Sequence, residues 1–552
     1  MEKKYVLAMY DVRGKQEYIF RGGKLKEIVG GSCIIRDCFR TYLYAAAREY
    51  RDGPDAMCTV GGECPVNKPD TDGPEAIYVY QRGESFSVEA FISRMNADGS
   101  NYIGEMIYDG GGNLYMLYKD RETCIGVNKI FTRKLLKETY TLHVLCAFIE
   151  LESGFADFRS DRKRLLKKHE KLEARECALR PVNTLPFVQV DYQTSMPLTQ
   201  KRPVPGGAGL MEKVTTERAC KLQKYEEVLK GNEEVYGEKV LDHIVHEKGE
   251  DSLLAVVFID GNAMGAKVAE CLKGKSPDYE SSINELRGFS ARIQKEYVDD
   301  RKEAIDAALQ KKNGVGEKES KRRFVVYAGD EMSFICKARD ALDAVRAYFE
   351  GVELDQQPDN APQRCFMGLP EGESACAGIA VFHSHAPYIE AYKIAEECCS
   401  NGKKWMKERG EKNICYLDFH YCQGGLGMSL EAIRKRESDD GLSRPWLWRD
   451  KDGELDKEAL ANTVSMDEVN RVAKDLKRLK SRTNVKSLAE AARSSLAAFD
   501  MEMSRIKAHQ TKEVQEQIAY TFDVLSGEER RRLVYDIALV YDLWFREGES
   551  HE

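Results

Sequence analysis

No apolar run in the chain approaches the ~18 residues that a membrane-spanning helix needs. The longest useful one, Leu253 to Ile259, has the length of a buried strand. The opening Met1-Glu2-Lys3-Lys4-Tyr5 lacks the apolar core of a secretory signal. A cytoplasmic protein with no membrane partner is therefore expected. Paired cysteine spacing is also missing. The 16 cysteines are scattered through hydrophobic segments. Cys58 and Cys64 share a Gly-rich stretch and Cys398 adjoins Cys399, but neither pattern has the spacing of a zinc site. These thiols read as small core residues in a reducing compartment. There is no positive excess either. With 84 Lys and Arg against 92 Asp and Glu, the net charge is -8. That argues against indiscriminate coating of nucleic acid and leaves room for a local basic groove.

What is present is length, apolar content and a repeat. At 552 residues, 42% of them hydrophobic, the chain has material for three or four domains. Tyr5 to Asp11 is an apolar strand ending on aspartate, followed by helical patterns over Lys15 to Phe20 and Leu25 to Phe39. Met106-Ile107-Tyr108-Asp109-Gly110-Gly111-Gly112-Asn113 and Leu114 to Tyr118 then read as strand, tight turn, strand. The pattern returns. Leu253 to Asp260 is again an apolar strand closed by aspartate, and Phe324 to Ile335 is again strand, turn, strand. Matching Tyr108 to Tyr327 sets Gly110 against Gly329, Gly111 against Asp330 and Gly112 against Glu331. Between the repeats, Arg159 to Arg180 is a basic, mixed-charge helical stretch, and Pro181 to Gly209 is a Pro- and Gly-rich linker with short strands. Helix-period apolar spacing fills Ala459 to Leu479, Val485 to Ile506 and Glu513 to Phe545. The expected segments are 1–155, 156–250, 251–422 and 423–552, the last α-helical.

The chemistry concentrates in the second repeat. Asp260 closes a buried strand, where open α/β layers place ligands. Gly261-Asn262-Ala263-Met264-Gly265 then bends the chain into a helix whose first N–H groups could hold phosphate. A strand-ending aspartate often only caps the next helix. Ala328-Gly329-Asp330-Glu331 adds weight, because a plain hairpin favours Asn-Gly or Asp-Gly there. Two adjacent carboxylates repel each other, and a divalent cation resolves the repulsion. Mg²⁺ is usually held by one or two carboxylates plus substrate phosphates, and paired ions can serve both the attacking and leaving oxygens. The bland alternative is a solvated acidic turn. Beyond a third buried strand, Ala377 to Phe382, the helix Tyr388 to Lys407 carries Lys403 and Lys404, either of which could meet a triphosphate as a point charge. His383 and His385 read as polar loop residues.

In order along the chain, DVRGKQEYIFRGGKLKEIVGGS, LLAVVFIDGNAMG, VVYAGDEMSF and GIAVFHSHAPYIEAYKIAEECCSNGKKW resemble the large palm-domain subunit of type III CRISPR effector complexes, which makes cyclic oligoadenylates. The likeness covers Tyr5 to about Tyr421. It implies an α+β fold with two ferredoxin-like palm domains of βαββαβ type, 1–155 (degenerate) and 251–422 (catalytic), a linker domain over 156–250 and an α-helical C-terminal domain. The family's usual Gly-Gly-Asp-Asp is Ala328-Gly329-Asp330-Glu331 here, closer to the GGDEF motif of diguanylate cyclases. By resemblance Asp260, Asp330 and Glu331 are catalytic and metal-binding, with two Mg²⁺ or Mn²⁺ ions. Gly261, Asn262, Gly265, Gly329 and Lys403 contact the nucleotide, expected to be ATP. Gly110, Gly111 and Gly112 leave room for an acceptor nucleotide. Asn262 stands where diguanylate cyclases usually have an aspartate. No adjacent His-Asp pair of an HD nuclease is present, and only Cys177 and Cys220 lie near the place of the family's zinc module. Guide or target RNA and other effector subunits are the implied partners. Two further readings fit the residues: a non-catalytic scaffold binding RNA and partner subunits, and a stand-alone cyclic-dinucleotide synthase.

Overall fold

The computed structural model describes residues 4–53, 75–97, 99–110, 113–152, 154–175, 187–204, 209–230, 244, 252–313, 322–354, 364–370, 372–411, 413–422, 428–437, 442–449 and 463–546. The fold is mixed α/β with several small sheets. Its described residues fall into two compact units, one drawn from Met1–Val240 with Ala263–Gln294, the other from Leu241–Asn262 with Lys295–Glu552.

In the first unit, β1 (Val6–Arg13) begins with five buried residues in succession, as a strand covered on both faces requires. Around it the strands β2 (Ile77–Val79), β3 (Gly104–Gly110), β4 (Asn113–Tyr118) and β5 (His143–Glu150) form one sheet in the order β2-β3-β4-β1-β5. Leaving aside edge strand β2, a first strand flanked by the third and fourth is the order a βαββαβ unit makes. Helices α1 (Leu25–Cys38) and α2 (Arg121–Thr139) supply its crossovers. Asp120 caps α2 by accepting from Thr123 N–H at 2.8 Å. The hairpin β6 (Leu198–Pro203) and β7 (Met211–Thr215) leads into α3 (Thr216–Lys230). This helix packs so closely on α1 that a Cβ at Gly30 would lie 1.9 Å from the Lys221 carbonyl oxygen.

Two helices that follow the second repeat's first strand also belong to this unit: α4 (Met264–Cys271) and α5 (Tyr279–Ile293). Leu272, Tyr279, Ile283 and Leu286 share a core with Leu7, Met9, Ile107 and Leu117. Polar contacts fix the docking. Arg287 donates to the Ile107 carbonyl at 3.0 Å, and Ser290 donates to the Asp109 carbonyl at 2.9 Å.

The second unit is built on β8 (Leu253–Gly261), where Leu254 to Ile259 are all buried. With β9 (Arg322–Ala328), β10 (Glu331–Lys337), β13 (Ala375–His383), β14 (Cys415–Tyr421) and β15 (Trp446–Arg449) it makes a six-stranded sheet, β15-β14-β13-β8-β10-β9. The four strands β13-β8-β10-β9 repeat the order of the first sheet. The short hairpin β11 (Gly351–Leu354) with β12 (Arg364–Met367) stands apart. Helices α6 (Asp300–Asn313) and α7 (Ala341–Glu350) precede that hairpin, and α8 (Tyr388–Glu408) joins β13 to the parallel β14. Where α8 crosses β13 the residue is Gly378, at which a Cβ would lie 1.9 Å from the Ala395 carbonyl oxygen. The remainder is helical, including α9 (Leu430–Glu437), α10 (Met466–Arg478) and α11 (Gly527–Trp544). Met466, Val469, Val472, Ala473 and Leu476 give α10 its buried stripe at helical spacing. No helix among the described residues is long and apolar enough to cross a membrane.

The repeat is real at the backbone, but its register differs from the sequence match. Gly110 pairs with Asn113 across the β3–β4 turn, as Ala328 pairs with Glu331 across the β9–β10 turn. Gly110 therefore corresponds to Ala328, and Asn113, not Gly112, stands where Glu331 does. The same residues face the strand-ending aspartates, Asn113 opposite Asp11 and Glu331 opposite Asp260. Matching the tyrosines misplaces the turn by one because Tyr108 stands two residues before Gly110 and Tyr327 only one before Ala328; both hairpins carry a bulge at the same place, three residues before the turn.

Candidate active site

Asp260 is the penultimate residue of β8. Its neighbours across the sheet are Glu331 on β10 and Cys376 on β13. The turn from β9 to β10 has two central residues, Gly329 and Asp330, and Gly329 has φ 69°. A glycine first in such a turn gives the twist a hairpin needs, and a side chain there would be strained. The turn is tied to β8 by a hydrogen bond from Gly261 N–H to the Asp330 carbonyl at 3.1 Å. Three carboxylates, Asp260, Asp330 and Glu331, are thus delivered to one end of the sheet by two adjacent strands.

Their electrostatics follow from that crowding. Burial first, then the Asp260 charge, pushes the Asp330 carboxyl up to about 6, and the two side chains share a hydrogen bond. Burial, again reinforced by Asp260, pushes Glu331 up to about 7. Glu331 accepts a hydrogen bond from the Tyr392 hydroxyl at 3.3 Å. The counter-charge is Lys403 on α8. Its Nζ lies 2.6 Å from Asp260 Oδ2 and 2.7 Å from the Gly261 carbonyl oxygen. Burial works against the Lys403 ammonium, but Asp260 outweighs it and holds the pKa above its ordinary value.

Asp260, Asp330, Glu331, Gly261, Gly329 and Lys403 are therefore assembled at one site. Other residues singled out in the sequence are not. Asn262 is 2% exposed, and its amide donates to Ser374 Oγ at 3.1 Å and to the Ile414 carbonyl at 3.0 Å. It pins two loops to β8. Gly265 lies in α4 and Gly110 at the end of β3, both in the first unit. Gly111 and Gly112 lie outside the described residues. His383 and His385 are exposed, with ring centroids 5.2 Å apart. Tyr392 was not legible as a site residue on its own. The signal that finds it is helical spacing, because Tyr392, Glu396, Cys399 and Lys403 fall on one face of α8.

Among the described residues, no three of His, Cys, Asp or Glu are arranged to hold a metal ion by themselves. Mg²⁺ does not need that, since one or two carboxylates and the substrate's phosphates complete its shell. The donor set fits this mode. Asp260 and Asp330 are hard oxygen donors in contact, and the Asp260 charge raises the cost of ionising Asp330. Glu331, turned to Tyr392, is the least committed of the three to a shared ion.

The first unit places different residues at the equivalent point. Asp11 meets Arg13 Nη1 at 3.0 Å and His169 Nε2 at 3.3 Å, and its β4 partner is Asn113.

No model of a protein family matches the sequence, and no curated protein matches it either. Solved structures similar to this chain are those of the Csm1–Csm4 cassette. The cassette in complex with cA4 is 12% identical with a TM-score of 0.40, over 98% of this chain and 70% of that one. The cassette in complex with pppApApA is 12% identical with a TM-score of 0.43, over 98% and 70%. The Csm1–Csm4 subcomplex of the type III-A CRISPR-Csm interference complex gives the same identity, coverage and score. The likeness is structural, at low sequence identity.

Proposed function

We propose that the chain is a metal-dependent nucleotidyltransferase of the palm type, making cyclic oligoadenylate second messengers from ATP in antiviral defence. The carrying observation is the convergence of Asp260, Asp330 and Glu331 at the ends of β8 and β10, with Lys403 against them. In the reaction a ribose hydroxyl oxygen bonds to the α-phosphorus of ATP, the bond to the β-phosphate oxygen breaks, and pyrophosphate leaves. Asp260 and Asp330 would hold Mg²⁺ or Mn²⁺, which when bound would supply charge neutralisation at the transferring phosphate and a more acidic attacking hydroxyl.

The chain's own residues do the positioning. Gly329 keeps the turn narrow, so backbone rather than side chain borders the place of the phosphates. Lys403 neutralises Asp260 until anionic substrate arrives, and its half-buried ammonium then lies within reach of phosphate oxygens. Tyr392 orients Glu331. Guide or target RNA and further effector subunits are the partners this reading implies.

The test is chromatography of the products formed by the purified full chain from each NTP with Mg²⁺ or Mn²⁺. Cyclic oligoadenylates are expected from ATP alone. Asp330→Ala or Asp260→Ala should lower transfer by at least about a hundredfold while the protein stays folded. Wild-type turnover in both variants would overturn the assignment. Activity undiminished in EDTA would do the same.

A further inference from the structure

A cavity lies in the second unit beside α8. It has a volume of about 990 Å³, the upper range for pockets that take a small organic ligand. One wall is the α8 face carrying Ser400, Asn401, Lys404 and Trp405, while α9, α10, α11 and the segment before β15 supply the rest. None of the acidic-site residues lines it.

Its charges separate into those that are occupied and those that are not. Arg434 binds both oxygens of buried Asp418, at 2.7 and 2.8 Å. Arg444 is held by the Phe419 carbonyl at 2.6 Å and by Asp536 at 3.4 Å. Of the four acidic lining groups, Glu397 accepts the Leu430 N–H at 2.5 Å, Glu431 pairs with Lys435 at 2.9 Å, and Glu468 accepts the Tyr520 hydroxyl at 3.2 Å, while Glu529 stands one helical turn before Arg532. Arg532 is different. It borders the cavity, its Nε is enclosed with no hydrogen-bond partner as those of Arg434 and Arg444 are, and, unlike them, its guanidinium pairs with no carboxylate among the described residues. A guanidinium N–H enclosed without an acceptor is a costly arrangement that an anionic ligand relieves. Lys404 adds a second cation whose side chain is 70% exposed and whose nearest carboxylate, Glu408, is 3.8 Å away. Trp405, stacked by Arg409 at 4.4 Å, offers a planar aromatic wall, and Leu430, Leu442 and Leu533 add apolar surface. Aromatic wall, apolar floor, the unpaired Arg532 guanidinium and the exposed, loosely paired Lys404 together select a ligand with a planar ring and a phosphate.

We propose that this cavity is a nucleotide-binding site distinct from the acidic turn, with the phosphate on Arg532 and Lys404 and the ring against Trp405. It does not depend on the transferase reading. The test is titration of the full chain with AMP in EDTA, followed by tryptophan fluorescence and by calorimetry. Saturable binding is expected. Arg532→Ala and Lys404→Ala should each weaken it, the former by about tenfold or more, as loss of a charge-assisted hydrogen bond implies. Trp405→Phe should remove most of the fluorescence change, and Asp330→Asn should leave the affinity unaltered. Inorganic phosphate should compete only weakly. Thermal unfolding of each variant separates lost binding from lost fold, and the exposed Lys404 keeps the test usable if Arg532→Ala does not fold. Absence of AMP binding up to millimolar concentration overturns the proposal. So does binding that Asp330→Asn abolishes while Lys404→Ala spares it, or phosphate binding as tight as AMP.

Discussion

Asp330 and Glu331 hold protons up to about 6 and 7 because each is buried beside another carboxylate. The consequence for stability has a definite sign. A carboxyl whose pKa is higher in the folded than in the unfolded chain binds more protons when folded, so it stabilises at low pH. That contribution is complete below the ordinary carboxylate range, and it is lost as pH rises through the raised values. Metal-free protein should therefore lose melting temperature between about pH 4 and pH 7 from this pair. Asp330→Asn should flatten that part of the profile, as scanning calorimetry in EDTA would show. With Mg²⁺ the slope should shrink or reverse, since the ion favours the ionised forms. An unchanged pH profile in the variant would mean that Asp330 does not bear the strain assigned to it. At this scale the sequence is informative where chemistry and local geometry coincide. A strand-ending Asp260 and a turn Asp330-Glu331 are visible as residue types in a short pattern. Asn262 sits in the same pattern, yet its partners are 112 and 152 residues away, and nothing local records them.

Between residue and domain stands α8, which carries Tyr392 and Lys403 to the carboxylates. Its position on the sheet is set by Gly378 of β13, where a side chain would strike the Ala395 carbonyl at 1.9 Å and the Cys399 amide at 2.6 Å. Gly378→Ala should force α8 outward. Overpacking of this kind costs about 1–3 kcal/mol, and Lys403 should move away from Asp260. The expected result is a lower melting temperature together with a fall in transfer larger than the stability loss explains. Activity retained at a temperature where the variant is fully folded would show that α8 tolerates displacement. Strand and helix existence is largely legible here from periodicity, as in the all-apolar β8 and the stripe of α10. Register is not. The tyrosine match misplaces the first unit's turn by one residue because Tyr108 lies two residues before the end of its strand and Tyr327 only one, and a shared residue type does not report pairing. The destination of α4 and α5 is equally silent. Their apolar faces are those of any amphipathic helix, and only the partners Leu7, Met9 and Ile107 reveal which sheet they cover.

Across the whole molecule, two sheets with the same strand order carry unlike ends. Both begin with a strand whose apolar run stops at an aspartate near its end, and both turn into a helix through a left-handed residue three positions later, Gly14 after Asp11 and Ala263 after Asp260. The charges around those aspartates differ. Asp260 faces Glu331 and shares a hydrogen bond with Asp330, so negative charge exceeds the single ammonium of Lys403. Asp11 faces the neutral Asn113 and already has Arg13 at 3.0 Å and His169 at 3.3 Å. A divalent cation gains most where carboxylates repel one another and least where a carboxylate is already matched by a guanidinium, as Asp11 is by Arg13. The two ends should therefore differ in metal binding. Mn²⁺ titration followed by electron paramagnetic resonance should find ions bound by the full chain, with binding lost in Asp260→Asn and Asp330→Asn. Asp11→Asn should leave both the number of ions and their affinity as in the wild type, because the first end contributes no ligand. If Asp11→Asn removed an ion, the inequality between the ends would be wrong, and the guanidinium of Arg13 would have to be regarded as displaceable.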